Sequence, residues 1–69
     1  MTTKTTEAVE AAARVDAREF AMLFPDEKPS DGWLTEAYTR AAAGAEWPQE
    51  YRALYRRTFL GEVEADVGG

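Results

Sequence analysis

Apolar residues recur along this chain at helical spacing, and no segment alternates with period two. In the first periodic segment, residues 6–23, Ala8, Val9, Ala12, Val15, Phe20, Met22 and Leu23 are assigned to one broad face. Five alanines between positions 8 and 17 add helix propensity. Glu7 and Glu10 suit the positive end of the helix dipole, with Thr5 or Thr6 as cap. Pro25 disfavours helical backbone at Phe24 and sets the stop.

Residues 25–31, with two prolines and four charges, read as a loop. Ser30 or Asp31 then caps a second helix over 32–43. Its stripe is Trp33, Leu34, Ala37, Tyr38, Ala41 and Ala42, with Glu36 and Arg40 paired four apart on the far side. Gly44 is the expected left-handed stop. A third helix over 48–60 opens at Pro48, where a missing N–H costs nothing, and is expected to end at Gly61. Tyr51, Leu54, Tyr55, Thr58 and Phe59 form its inner face, with Arg52, Arg56 and Arg57 beside and behind. The fold expected is an all-α, compact three-helix bundle, a single domain over 1–69. Residues 1–5 are expected to fray, and 62–69 to form a mobile acidic tail.

Composition narrows the chemistry. A chain of 69 residues with no cysteine and no histidine has no disulfide, thiolate nucleophile, imidazole base or zinc-finger spacing. The glycines are scattered and make no phosphate-cradling loop. Asp26, Glu27 and Asp31 lack the spacing of a calcium loop, so no metal and no cofactor is expected. Asp16 and Glu19 stand side by side on the first helix, but a bundle this small rarely encloses the cleft a catalytic carboxylate pair needs. No enzyme is expected. The N-terminal stretch lacks an apolar segment, and no run is long enough to span a membrane. The expected address is cytoplasmic.

Thirteen acids against eight bases give a net charge of −5, which repels a phosphate backbone and argues against direct nucleic-acid binding. A helix-turn-helix DNA-binding regulator is the alternative reading. It has Arg52, Arg56 and Arg57 for phosphates but few side chains suited to base edges, and its turn from Gly44 to Pro48 is long.

Two places are not explained by core-building alone. Asp16 falls in the first helix's apolar face, where it either reaches the bundle edge, pairs with an arginine of the third helix, or meets a partner. On the third helix, Tyr51, Arg52, Tyr55 and Arg56 combine the residue types that concentrate energy at interfaces. An acidic partner for these arginines could be external, or internal through Glu62, Glu64 and Asp66. Trp33, Tyr38 and Trp47 are candidate apolar anchors, and the aromatic surplus makes a homodimer possible. The expected function is a protein-binding module contacting a larger host protein or nucleoprotein complex.

In size, acidity and helical layout the whole chain resembles the small accessory proteins of phages and mobile elements, including anti-CRISPR and anti-restriction inhibitors. The resemblance is one of general character and carries over no residue positions. It implies a stoichiometric inhibitor that occludes a host machine, although the Arg52, Arg56 and Arg57 cluster departs from simple DNA mimicry.

Overall fold

The computed structural model describes residues 4–68, with side chains described as far as residue 65. Three helices, α1 (Lys4–Leu23), α2 (Asp31–Ala45) and α3 (Arg52–Gly68), form the bundle, and a 3-10 turn, Gln49–Tyr51, leads into the last. No strand occurs among the described residues. Ring contacts fix the directions. Phe20 meets Phe59, and Asp16 meets Tyr55, so α1 and α3 run the same way. Trp33 meets Phe59 and Tyr38 meets Tyr55, so α2 runs against them.

The helix starts and stops show where local signals governed. α1 is helical from Lys4, the first described residue, so Thr5 and Thr6 lie within the helix. Ser30 is the cap of α2, its Oγ accepting the Trp33 N–H at 3.1 Å. Gly44, however, does not stop α2. The helix passes through it, and Glu46 takes the left-handed conformation with φ 59°. Pro48 explains the shift, because it forces Trp47 out of helical backbone. The N–H groups of Glu46 and Trp47 both point to the Ala42 carbonyl. Glutamate at positive φ is strained by steric contact of its Cβ. Glu46→Gly should therefore raise stability by about 0.5–1 kcal/mol in urea unfolding, and a loss would show that the Glu46 side chain stabilises the turn.

α3 departs further from expectation. Pro48 is extended (ψ 161°), so the α-helix starts at Arg52, later than expected, and it continues through Gly61 to Gly68. A glycine stops a helix by adopting positive φ, and Gly61 does not. Helix beyond it is held by burial of Val63 and by an ion pair between Glu62 and Arg18 at 3.6 Å. The segment 62–65 is thus helix rather than tail. The side chain of Asp66 and those after it, together with residues 1–3 and 69, lie outside the described residues. A Cβ at Gly61 would meet no atom within 4 Å. Gly61→Ala should therefore stabilise the domain by about 0.5–1 kcal/mol through helix propensity alone, read from the same urea curves; destabilisation would contradict the continuous helix.

The core is Val9, Ala13, Ala17 and Phe20 from α1, Leu34, Tyr38 and Ala42 from α2, and Tyr55, Phe59 and Val63 from α3. On α2 and α3 the expected stripes are buried or half-buried except at Trp33, which is exposed, and Leu60 also packs against the core. On α1 the face is corrected. Val15, Met22 and Leu23 are exposed, and Ala8 with them, while two alanines turn inward. At 100° per residue Met22 stands about 200° round from Phe20 and so does not share its face. The inward alanines leave room for the large rings of α3.

Those rings form a continuous chain. Phe24, Phe20, Trp33, Phe59, Tyr55, Tyr38 and Trp47 each lie with centroids 5.0–6.3 Å from the next along this order. Tyr51 is the one aromatic residue outside the chain.

Candidate functional site

The two buried tyrosines are the polar joints of this aromatic chain. Tyr55 is 0% exposed, and its hydroxyl donates to the Asp16 carboxylate, Oδ2, at 2.5 Å. Burial first, then the hydrogen bond to Asp16 and its negative charge, raise the Tyr55 pKa far above that of an ordinary phenol, with Arg40 acting in the opposite direction. Tyr38, also 0% exposed, donates to the Pro48 carbonyl at 2.5 Å and pins the turn before α3. Its pKa is raised too, chiefly by burial, then by Glu50 and Tyr51. A phenol whose ionisation is suppressed donates a hydrogen bond at neutral pH and does not act as a base. These joints hold helices together.

This corrects the expected contact edge. Tyr38 and Tyr55 are core residues, so neither can supply a surface contact in this fold. Both rings are large enough to be buried, provided that each hydroxyl finds an acceptor, and both do. Asp16 does reach the bundle edge, half-buried, but it meets a tyrosine of α3 rather than an arginine. Trp47 is half-buried with its ring stacked on Tyr38, and Tyr51 is half-buried against the core.

Arg52 and Arg57 are exposed on α3. Arg56 is exposed as well, and its guanidinium meets the Asp31 carboxylate at the start of α2 at 2.6 Å. Its internal partner is therefore Asp31, and Glu62 turns to Arg18 instead. Both ends of the Arg56–Asp31 pair face solvent, which limits its contribution to under about 1 kcal/mol. Around it lies a cleft of about 330 Å³ that also includes Arg52, Glu50, Leu34 and Thr35. Two arginines face two acids there, so this edge carries no net charge.

A different surface stands out at the end of α1. Met22 is 84% exposed, Leu23 64%, Phe24 41% and Trp33 37%. Phe24 and Trp33 both lean on the ring of Phe20, at 5.1 and 5.0 Å, while Met22 stands on the other side of the last turn of α1. Leu23 and Trp33 line a cleft of about 310 Å³ between α1 and α2, together with Phe20, Ala37 and Ala41. Asp16 and Glu19 of α1 and Glu36 and Arg40 of α2 stand around it. The expected Glu36–Arg40 ion pair is absent among the described residues; the charge of Arg40 acts toward Tyr55.

Of the anticipated anchors only Trp33 belongs to this surface. Met22 and Leu23 were expected in the core, and Phe24 was read only as the residue before the Pro25 stop. The angle of Met22, about 200° from Phe20, was the signal that could have found it, whereas Leu23 and Phe24, about 60° and 40° from Phe20, carry no such signal.

Among the described residues there is no cluster of acidic groups placed to hold a metal ion, and no helix long and apolar enough to cross a membrane. Comparison with protein-family models, with curated proteins and with solved structures finds no match to this chain.

Proposed function

We propose that this protein is a non-enzymatic protein-binding module whose principal contact surface is the apolar end made by Met22, Leu23, Phe24 and Trp33. The observation that supports this most is the exposure of four large apolar residues at the last turn of α1 and the start of α2, two of which, Leu23 and Trp33, line one cleft. Isolated exposed apolar residues are ordinary, whereas a contiguous patch at the mouth of a cleft is the usual mark of an interaction site. A tryptophan half in and half out of the core suits an anchor, since its ring is already held in place. Arg52, on the cleft beside α3, would serve as a secondary edge.

In its most specific form the reading is a cytoplasmic inhibitor of the phage type, anti-CRISPR-like, that occludes a host protein or nucleoprotein complex. Small size, net acidity and a rigid bundle with one apolar end support it. A DNA-reading role for α3 is less favoured, because Arg56, needed for phosphate, is engaged by Asp31.

The test uses the whole chain as bait in host extract, beside Met22→Glu/Leu23→Glu and Arg52→Glu/Arg57→Glu variants with unchanged melting temperatures. The expected result is a stoichiometric protein partner whose recovery falls at least tenfold with the first variant. Equal recovery by that variant, or no stoichiometric partner, would overturn the proposal.

A further inference from the structure

The cleft between α1 and α2 has a charge pattern that the apolar end alone does not explain. Its lining sets one arginine, Arg40, against three carboxylates, Asp16, Glu19 and Glu36, around Phe20, Leu23, Trp33 and Ala37. Asp16 is held by the Tyr55 hydroxyl, and the charge of Arg40 acts toward the same phenol. That leaves Glu19 on one wall and Glu36 on the other, each exposed and without an ion-pair partner among the described residues. Two uncompensated carboxylates thus flank an apolar floor. The cleft beside α3, by comparison, sets two arginines against two acids.

Resting on the protein-binding reading above, we infer that this cleft receives a basic amphipathic helix of the partner protein, with apolar anchors in the Phe20–Trp33 floor and arginine or lysine between Glu19 and Glu36. Charge complementarity selects this occupant. A second copy of the chain, itself carrying a net charge of −5, is repelled over the long range, as is an anionic membrane surface. The volume of the cleft holds one or two large apolar side chains and not a folded domain. Helical segments dock in grooves in this way through anchors three, four and seven residues apart.

The probe is a synthetic amphipathic helix with leucines at that spacing flanked by arginines, and its twin with glutamates in place of the arginines. Trp33 fluorescence reports occupancy in a Trp47→Phe background, and amide chemical-shift mapping on the unmodified chain reports it independently should that background unfold. The arginine peptide is expected to shift Trp33 emission to the blue saturably. The shift changes should centre on residues 16–23 and 33–41, and the glutamate peptide should bind at least tenfold more weakly. Glu19→Gln/Glu36→Gln should weaken the arginine peptide about tenfold, with Arg57→Gln leaving it unchanged.

Equal binding of the two peptides, no effect of the glutamine pair, or an equal Trp33 shift with phosphatidylglycerol vesicles would overturn the inference. If the peptides fail while Met22→Glu/Leu23→Glu still abolishes capture of the host partner, the basic-helix occupant is wrong and the apolar contact surface stands. If capture too is unaffected, the protein-binding surface itself is wrong.

Discussion

Phe59→Ala should leave most molecules unfolded at 25 °C. Phe59 is wholly buried where the aromatic chain branches, with rings from all three helices against it: Phe20 at 5.9 Å, Trp33 at 5.4 Å and Tyr55 at 6.0 Å. Removing such a ring costs the transfer free energy of its atoms and opens a cavity, about 3–5 kcal/mol together. A domain of this length has a net stability of only a few kcal/mol, so the loss is comparable to the whole. Phe59→Leu, which keeps most of the volume, should remain folded with a lowered midpoint. Far-UV circular dichroism during urea titration separates the two. A cooperative Phe59→Ala transition within 1 kcal/mol of the wild type would mean that the core is not organised around this ring.

Breaking the Asp16–Tyr55 bond should have an asymmetric effect. Asp16→Ala leaves the buried Tyr55 hydroxyl without its acceptor, at a cost of about 1–3 kcal/mol. Tyr55→Phe removes the hydroxyl and leaves Asp16 on a half-exposed edge where water can solvate it, so the loss should be nearer 1 kcal/mol. The double variant should lose less than the sum. Equal losses from the two single variants would contradict the geometry.

The same bond predicts an alkaline limb. Tyr55 and Tyr38 have folded-state pKa values raised above the unfolded value of 10.0. Their contribution is complete below about pH 10 and declines above it, because the unfolded chain releases phenolic protons that the folded chain retains. The slope approaches about 1.4 kcal/mol per pH unit for each phenol. Unfolding midpoints measured from pH 8 to 11.5 should fall past pH 10, and less steeply in Tyr55→Phe.

Helix number and connections were legible because their signals are local. Pro25 ends α1, Ser30 caps α2, and Pro48 keeps Trp47 out of helical backbone, whatever the remainder of the chain does. What could not be read depended on distant partners. Tyr55 is buried because its acceptor, Asp16, lies 39 positions away, and nothing near Tyr55 in the sequence reveals it. Arg56 is similarly held by Asp31 from another helix. Gly61 looked like a stop because glycine usually is one. Burial of Val63 against the bundle outweighs its propensity.

At the end of α1 only part could be read. Met22 and Val15, about 200° and 140° round from Phe20, were legible by angle as exposed, whereas Leu23 lies about 60° from it and was not. The candidate surface lies at the end of α1 rather than on the arginine–tyrosine edge of α3, and Trp33 is the one expected anchor that belongs to it.

Hydrogen exchange of the intact protein, free and in complex with the captured partner, tests that placement most directly. The account predicts added protection in the last turn of α1, in residues 24–30 and in the first turns of α2, with α3 from Arg52 to Arg57 little changed. Protection confined to Gln49–Tyr51 and the start of α3, with the end of α1 exchanging as in the free protein, would contradict it.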